Sequence, residues 1–148
     1  MPILTPGITP ARAGEGGVVW SILGQTYYLK EHCDSAFAFE THGAPGTFVP
    51  PHIHPTQDEF ILLLEGEMEL TLDGQTHKLA PGELARMPMG MPHGYANVGE
   101  GSALVRAFFW VSPARMLHEL FTRLDGLSDP AEVVRISATC EVNFLPPP

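Results

Sequence analysis

Cysteine is scarce: Cys33 and Cys140 are the only two among 148 residues. Two thiols do not make a disulfide framework, so a reducing, cytoplasmic setting is the default expectation, with a single Cys33–Cys140 bridge left open. Positive charge is scarce as well. Eight Lys and Arg stand against 17 Asp and Glu, giving a net charge of −9. That balance repels phosphate backbones and anionic lipid surfaces, so neither nucleic acid nor a membrane is an expected partner. Long apolar runs are missing; none exceeds Phe60 to Leu64, far short of a bilayer span. The opening Met1-Pro2-Ile3-Leu4-Thr5-Pro6-Gly7 has no basic start and no apolar segment, so no signal peptide is expected.

Punctuation, by contrast, is abundant. Fifteen glycines and fifteen prolines in one chain suit short strands joined by tight turns better than long helices. An apolar share of 44% with 17% charged residues suits a globular chain, and its length suits one domain over residues 1–148.

Periodicity predicts an all-β body. Short strands are expected at 18–22, 25–29 and 36–40. Phe48 to His54 must be extended, because Pro50 and Pro51 forbid helix. Glu59 to Glu65 follows. Met68, Leu70 and Leu72 then alternate with Glu67, Glu69 and Thr71, the pattern of a half-buried strand. Asp73-Gly74 predicts a type I′ hairpin returning through Gln75 to Leu79. Further strands are expected over 83–88, 93–98 and 103–111.

Past residue 112 the pattern changes. Ser112 before Pro113 predicts an N-cap followed by proline at the first helical position. Met116, Leu117, Leu120, Phe121 and Leu124 form one apolar stripe that Gly126 ends. Ser128-Asp129-Pro130 opens a second, shorter helix carrying Val133, Val134 and Ile136. The expectation is that both helices, about 113–139, pack outside the barrel or across a dimer with no chemistry of their own. The tail 144–148 cannot continue a helix.

Chemistry concentrates in two motifs. The first runs Gly46, five residues, His52-Ile53-His54, four residues, Glu59, six residues, Gly66. His-x-His on a strand puts both imidazoles on one face. Glu59 has the opposite parity, so a turn or bulge at 55–58 must reset the phase. The second runs Gly82, five residues, Pro88-Met89-Gly90, two residues, His93, three residues, Asn97. Three imidazoles and a carboxylate suit one divalent transition metal ion: Fe, Mn, Ni, Co, Cu or Zn.

Both motifs resemble those of the cupin superfamily, with all ten fixed positions present in order. By chance, either five-position match is expected on the order of 10⁻⁶ per window. The resemblance covers roughly residues 15–112 and implies a double-stranded β-helix barrel with His52, His54, Glu59 and His93 as metal ligands. The stretch from Pro51 to Phe60 looks most like quercetin 2,3-dioxygenase-type cupins. That likeness implies a metal-dependent dioxygenase acting on a small aromatic or enol substrate, with Glu59 also as general base. A metal-dependent isomerase, lyase or decarboxylase, or a non-catalytic small-molecule binder, would use the same barrel.

Substrate-pocket candidates are Phe48, Met89, Tyr95, Arg106, Phe108 and Trp110. Arg106 would bind a substrate anion if the face it shares with Leu104, Phe108 and Trp110 points inward; the simpler reading is an arginine near a sheet edge reaching water. Asn97 is expected to hold a loop by hydrogen bonding. His32, His42, His77 and His118 have no ligand spacing and are expected to be solvated. Both faces of 60–64 and 103–111 are apolar, so one fills the barrel and the other needs a cover. A homodimer is expected, as the cupin resemblance also implies, with the helix carrying Met116, Leu117, Leu120 and Phe121 as the alternative cover within one chain.

Overall fold

A computed structural model describes residues 3–101 and 103–146. In chain order the strands are β1 (Val19–Ile22), β2 (Gln25–Cys33), β3 (Ala36–Gly43), β4 (Phe48–Ile53), β5 (Asp58–Glu65), β6 (Glu67–Leu72), β7 (Gln75–Leu79), β8 (Leu84–Met87), β9 (His93–Val98) and β10 (Val105–Ser112). Two helices follow, α1 (Leu117–Leu124) and α2 (Pro130–Thr139), and then a short strand, β11 (Asn143–Phe144). The strands form two antiparallel sheets that face each other. One is ordered β1-β2-β3-β10-β5-β8 and the other β11-β4-β9-β6-β7. This is the double-stranded β-helix expected from the motifs.

Alternation decides what fills the barrel. On β10, Val105, Ala107, Phe109 and Val111 are buried, and on β5 so are Glu59, Ile61 and Leu63. Phe39 stacks on Phe109 at 4.9 Å between centroids and on Tyr27 at 5.3 Å, so three neighbouring strands share one aromatic layer. The Asp73-Gly74 hairpin forms as predicted, with both residues at positive φ and Leu72 paired with Gln75. Gly94 is a closer fit than its sequence context suggests. A Cβ there would lie 2.8 Å from the Val49 carbonyl oxygen and the Pro51 nitrogen, so only glycine lets β9 press against β4. The pairing of those strands is irregular between Val49 and His52, where Pro50 and Pro51 cannot donate to the ladder.

The C-terminal part departs from expectation in three ways. Ser112 does not cap a helix. It remains in β10 opposite Asp58, its hydroxyl donates to the Ser35 carbonyl, and α1 begins only at Leu117. The helices do not pack on the outside of the barrel. Phe121 sits edge-on against Tyr27, Phe39 and Phe37 at 5.0–5.5 Å, so α1 closes the open end of the barrel from within one chain. The third departure is β11, which pairs Asn143 with Ile53 and Phe144 with His52. Within the tail, Pro147 and Pro148 lie outside the described residues.

Smaller corrections follow. The second helix is the longer one, α2 having 10 residues against 8 in α1; Asp129 caps it, accepting from the Ala131 amide, and Val134 points to solvent while Val133 and Ile136 are buried. His32 and His118 are not free in solvent: their rings stack at 4.4 Å. His42 is bonded to Glu40. Only His77 of that set is exposed. Cys33 and Cys140 are buried, free thiols. No described helix is long and apolar enough to cross a membrane.

Candidate metal centre

The two strands carrying histidines lie side by side. β4 supplies His52, with His54 just past its end, and β9 supplies His93, which is the register partner of His52. Beyond His54 the chain turns at Pro55-Thr56 and leaves one sheet for the other, where β5 begins. Inward residues of facing sheets point toward each other, so this crossing, and not a bulge within one strand, resolves the parity of Glu59.

His52, His54 and His93 each offer one ring nitrogen, and those three atoms lie within 4.8 Å of one another. All three histidines are buried. Their other nitrogens are already engaged. Nδ1 of His52 donates to the Pro50 carbonyl at 2.8 Å, and Nδ1 of His93 to the Met91 carbonyl at 3.2 Å. Nδ1 of His54 donates to Gln57 Oε1 at 2.8 Å, while the Gln57 amide donates to the Pro113 and Ala114 carbonyls. Donation through Nδ1 leaves each Nε2 with a free lone pair, the arrangement that suits imidazoles to bind a metal. Nε2 of His93 is buried with no hydrogen-bond partner among the described residues. A divalent ion fits this donor set: it satisfies an otherwise orphaned nitrogen, and three imidazoles suit the d-block ions.

Glu59 adjoins the cluster. Its Oε2 is 3.1 Å from His54 Nε2 and its Oε1 is 3.6 Å from His93 Nε2. Burial pushes the Glu59 carboxyl up, but the surrounding histidines outweigh it and hold it at about 2, so it is ionised at neutral pH. Burial, reinforced by the charges of His93 and His54, pushes His52 down to about 3, which keeps its ring neutral. Burial also works against a charged His93, yet its contact with Glu59 wins and leaves it above the ordinary value.

A cavity of about 60 Å³ opens beside His52, His54 and Glu59. Its wall is mostly apolar: Val49 and Phe109 from the barrel, Leu117, Leu120, Phe121 and Leu124 from α1, Val133 from α2, and Phe144 from β11. Tyr27 and Tyr95 also reach it. Burial pushes Tyr27 up to about 12 and Tyr95 well above its usual range, so both remain neutral phenols.

Of the six residues expected to form the pocket, only Tyr95 lines this cavity. Phe48 and Met89 are exposed. Arg106, Phe108 and Trp110 lie on the outer face of β10, because the odd-numbered residues of that strand take the inside. Arg106 is on a central strand and not at an edge, and it pairs with Glu40 and Glu65 at 3.4 Å each. Asn97 holds a loop as expected, donating to Gln25 Oε1 and Thr47 Oγ1. Gln57, Tyr27, Phe144 and the helical wall were not foreseen. Gln57 sits within the motif's variable gap, and the others join the site only through long-range packing.

Comparison with known proteins agrees with this geometry. The chain is 41% identical over 63 residues to quercetin 2,3-dioxygenase of Bacillus subtilis, covering 43% of this chain and 19% of that protein. It is 38% identical over 69 residues to the polyketide synthase CurC of Streptomyces cyaneus, covering 47% of this chain and 44% of that protein. The chain thus spans less than half the length of these curated relatives. An RmlC-like cupin from Shewanella frigidimarina superposes with a TM-score of 0.66 at 18% identity, over 77% of this chain and 96% of that one. KdgF from Halomonas superposes at 0.56 with 26% identity, over 64% and 85%. The Cupin domain family model matches residues 39–112, half of the chain, and this chain belongs to the cupin family.

Proposed function

We propose that this chain is a mononuclear metal-dependent dioxygenase, with His52, His54, His93 and Glu59 holding one divalent ion and a small enol as substrate. The observation that carries the reading is a set of three buried histidines, each offering a ring nitrogen within 4.8 Å of the others, with the Glu59 carboxylate 3.1 Å from His54 Nε2, beside an apolar cavity. A bound ion of this kind supplies Lewis acidity and, for the redox-active metals, a partner for dioxygen. The chain's own residues do the rest. The apolar wall from α1 and β11 excludes bulk water. Tyr27, as a neutral phenol, can donate a hydrogen bond to a substrate oxygen, while the Tyr95 hydroxyl is committed to Gln25 Oε1. Glu59, ionised beside the histidines, can accept the enol proton at a carboxylate oxygen. The likeness to quercetin 2,3-dioxygenase supports this chemistry, but cavity size argues for a smaller substrate. At about 60 Å³ it leaves little room for a fused-ring flavonol. A small acyclic enol suits this space better than a flavonol.

A second reading keeps the same residues. Because Glu59 can move a proton without dioxygen, an isomerase, lyase or decarboxylase would need nothing further from the chain. The deciding experiment is elemental analysis of the purified protein, followed by oxygen-electrode assays with acetylacetone and flavonols. One ion per chain, lost in the His52→Ala/His54→Ala/His93→Ala variant, with oxygen uptake on the small enol, is the expected result. Full metal content in the triple variant overturns the ligand set. Conversion of the enol without oxygen uptake moves the assignment to the second reading.

A further inference from the structure

Helical hydroxyl groups usually return their hydrogen bond to the turn before them, and two here do. Thr122 donates to the His118 carbonyl and Thr139 to the Ile136 carbonyl. Ser137 does not. It is 1% exposed on α2, and its Oγ has no hydrogen-bond partner among the described residues. It also lines the cavity that holds His52, His54 and Glu59. A buried hydroxyl without a partner is costly, and native structures rarely keep one without a reason. The helical wall around it, from Leu117 to Val133, is otherwise apolar.

We propose that Ser137 is the polar anchor at the helical wall of the site, hydrogen-bonding the far end of a compact ligand whose near end meets the histidine cluster. This rests on the reading of that cluster as a metal centre. It narrows the substrate class to short molecules with a metal-binding oxygen at one end, an apolar middle and a hydroxyl or carbonyl at the other. The near end is anionic: one divalent ion against the single Glu59 carboxylate leaves net positive charge to accept it. The middle is short, because the space between the helical wall and the histidines is about 60 Å³. Ser137 lies outside the family match at 39–112, so this selectivity belongs to the helical part of the chain.

Two measurements test it. In metal-free protein, Ser137→Ala removes an unsatisfied buried group and is expected to melt above the parent. An equal or lower melting temperature means the hydroxyl already has a structural partner and overturns the proposal. In Ni²⁺-loaded protein, calorimetric titration compares propanoate, butanoate and pentanoate with their terminally hydroxylated counterparts. At one chain length the hydroxyl is expected to tighten binding roughly three- to tenfold, the worth of one hydrogen bond. Ser137→Ala is expected to abolish that gain and leave the plain carboxylate unchanged. No gain at any length, or a gain that survives in Ser137→Ala, overturns it. If the parent takes up no Ni²⁺, the metal reading fails by itself, and the metal-free melting comparison still decides whether Ser137 is unpaired.

Discussion

Nδ1 of His54 donates to Oε1 of Gln57, 2.8 Å away, and through Gln57 the histidine cluster is tied to the chain leading into α1. The same amide bonds the Pro113 and Ala114 carbonyls, so one side chain touches both an imidazole of the cluster and the chain entering the helical wall. Gln57→Ala is expected to weaken metal binding by about 10- to 100-fold, the usual cost of removing a partner behind a ligand. Competition against a chromophoric chelator measures this. Unchanged affinity would show that His54 needs no help to hold its tautomer.

Glu59 carries two roles in the proposed function, and Glu59→Gln separates them. The amide can still offer an oxygen but cannot accept a proton at neutral pH. Reloaded to equal metal content, the variant should lose about 10²- to 10⁴-fold in kcat with little change in KM. Equal turnover at equal metal would remove the base role and leave only coordination.

Acid should act on the outer face of the barrel through Glu40. Burial pushes its carboxyl up, but the His42 hydrogen bond and the Arg106 guanidinium together hold it below the ordinary 4.5. A carboxyl lower in the folded state stabilises the fold above its unfolded value, and that contribution disappears as pH falls through the folded value. Melting curves from about pH 7 to about pH 3 should therefore fall less steeply below about 4.5 for Glu40→Gln than for the parent, while at pH 7 the variant is the less stable. Parallel curves would mean that Glu40 contributes no acid sensitivity.

A homodimer through the outer face of β10 is a prediction. Phe60 stacks on Trp110 at 4.9 Å and Phe108 lies 5.5 Å from Trp110, all three only half-buried. Since the helices close the barrel's end and leave this face uncovered, a second copy is the expected cover. Sedimentation should give twice the 16.1 kDa chain mass, with Trp110→Glu returning a monomer. A parent sedimenting at 16.1 kDa at micromolar concentration would remove the dimer.

The sequence by itself determined whatever depends on neighbours along the chain. Alternation located the strands, Asp73-Gly74 set its hairpin, and the spacing of His52, His54, Glu59 and His93 named the cluster that the fold then brought together. Tertiary structure decided what local pattern leaves degenerate. Both faces of β10 are apolar, so parity could not say that Phe109 looks inward and Trp110 outward; only the facing sheet does. The stripe on α1 showed that the helix needed a cover without showing that the cover was Tyr27, Phe37 and Phe39 inside the barrel mouth. β11 is two residues long and carries no periodicity; it exists because β4 offers an edge for Asn143 and Phe144 to pair with. Ser137 and Phe144 become parts of the site by that long-range packing alone, since contacts between residues far apart in the chain leave no trace in local periodicity, whereas Gln57 lies in a motif gap whose residues the pattern leaves unspecified.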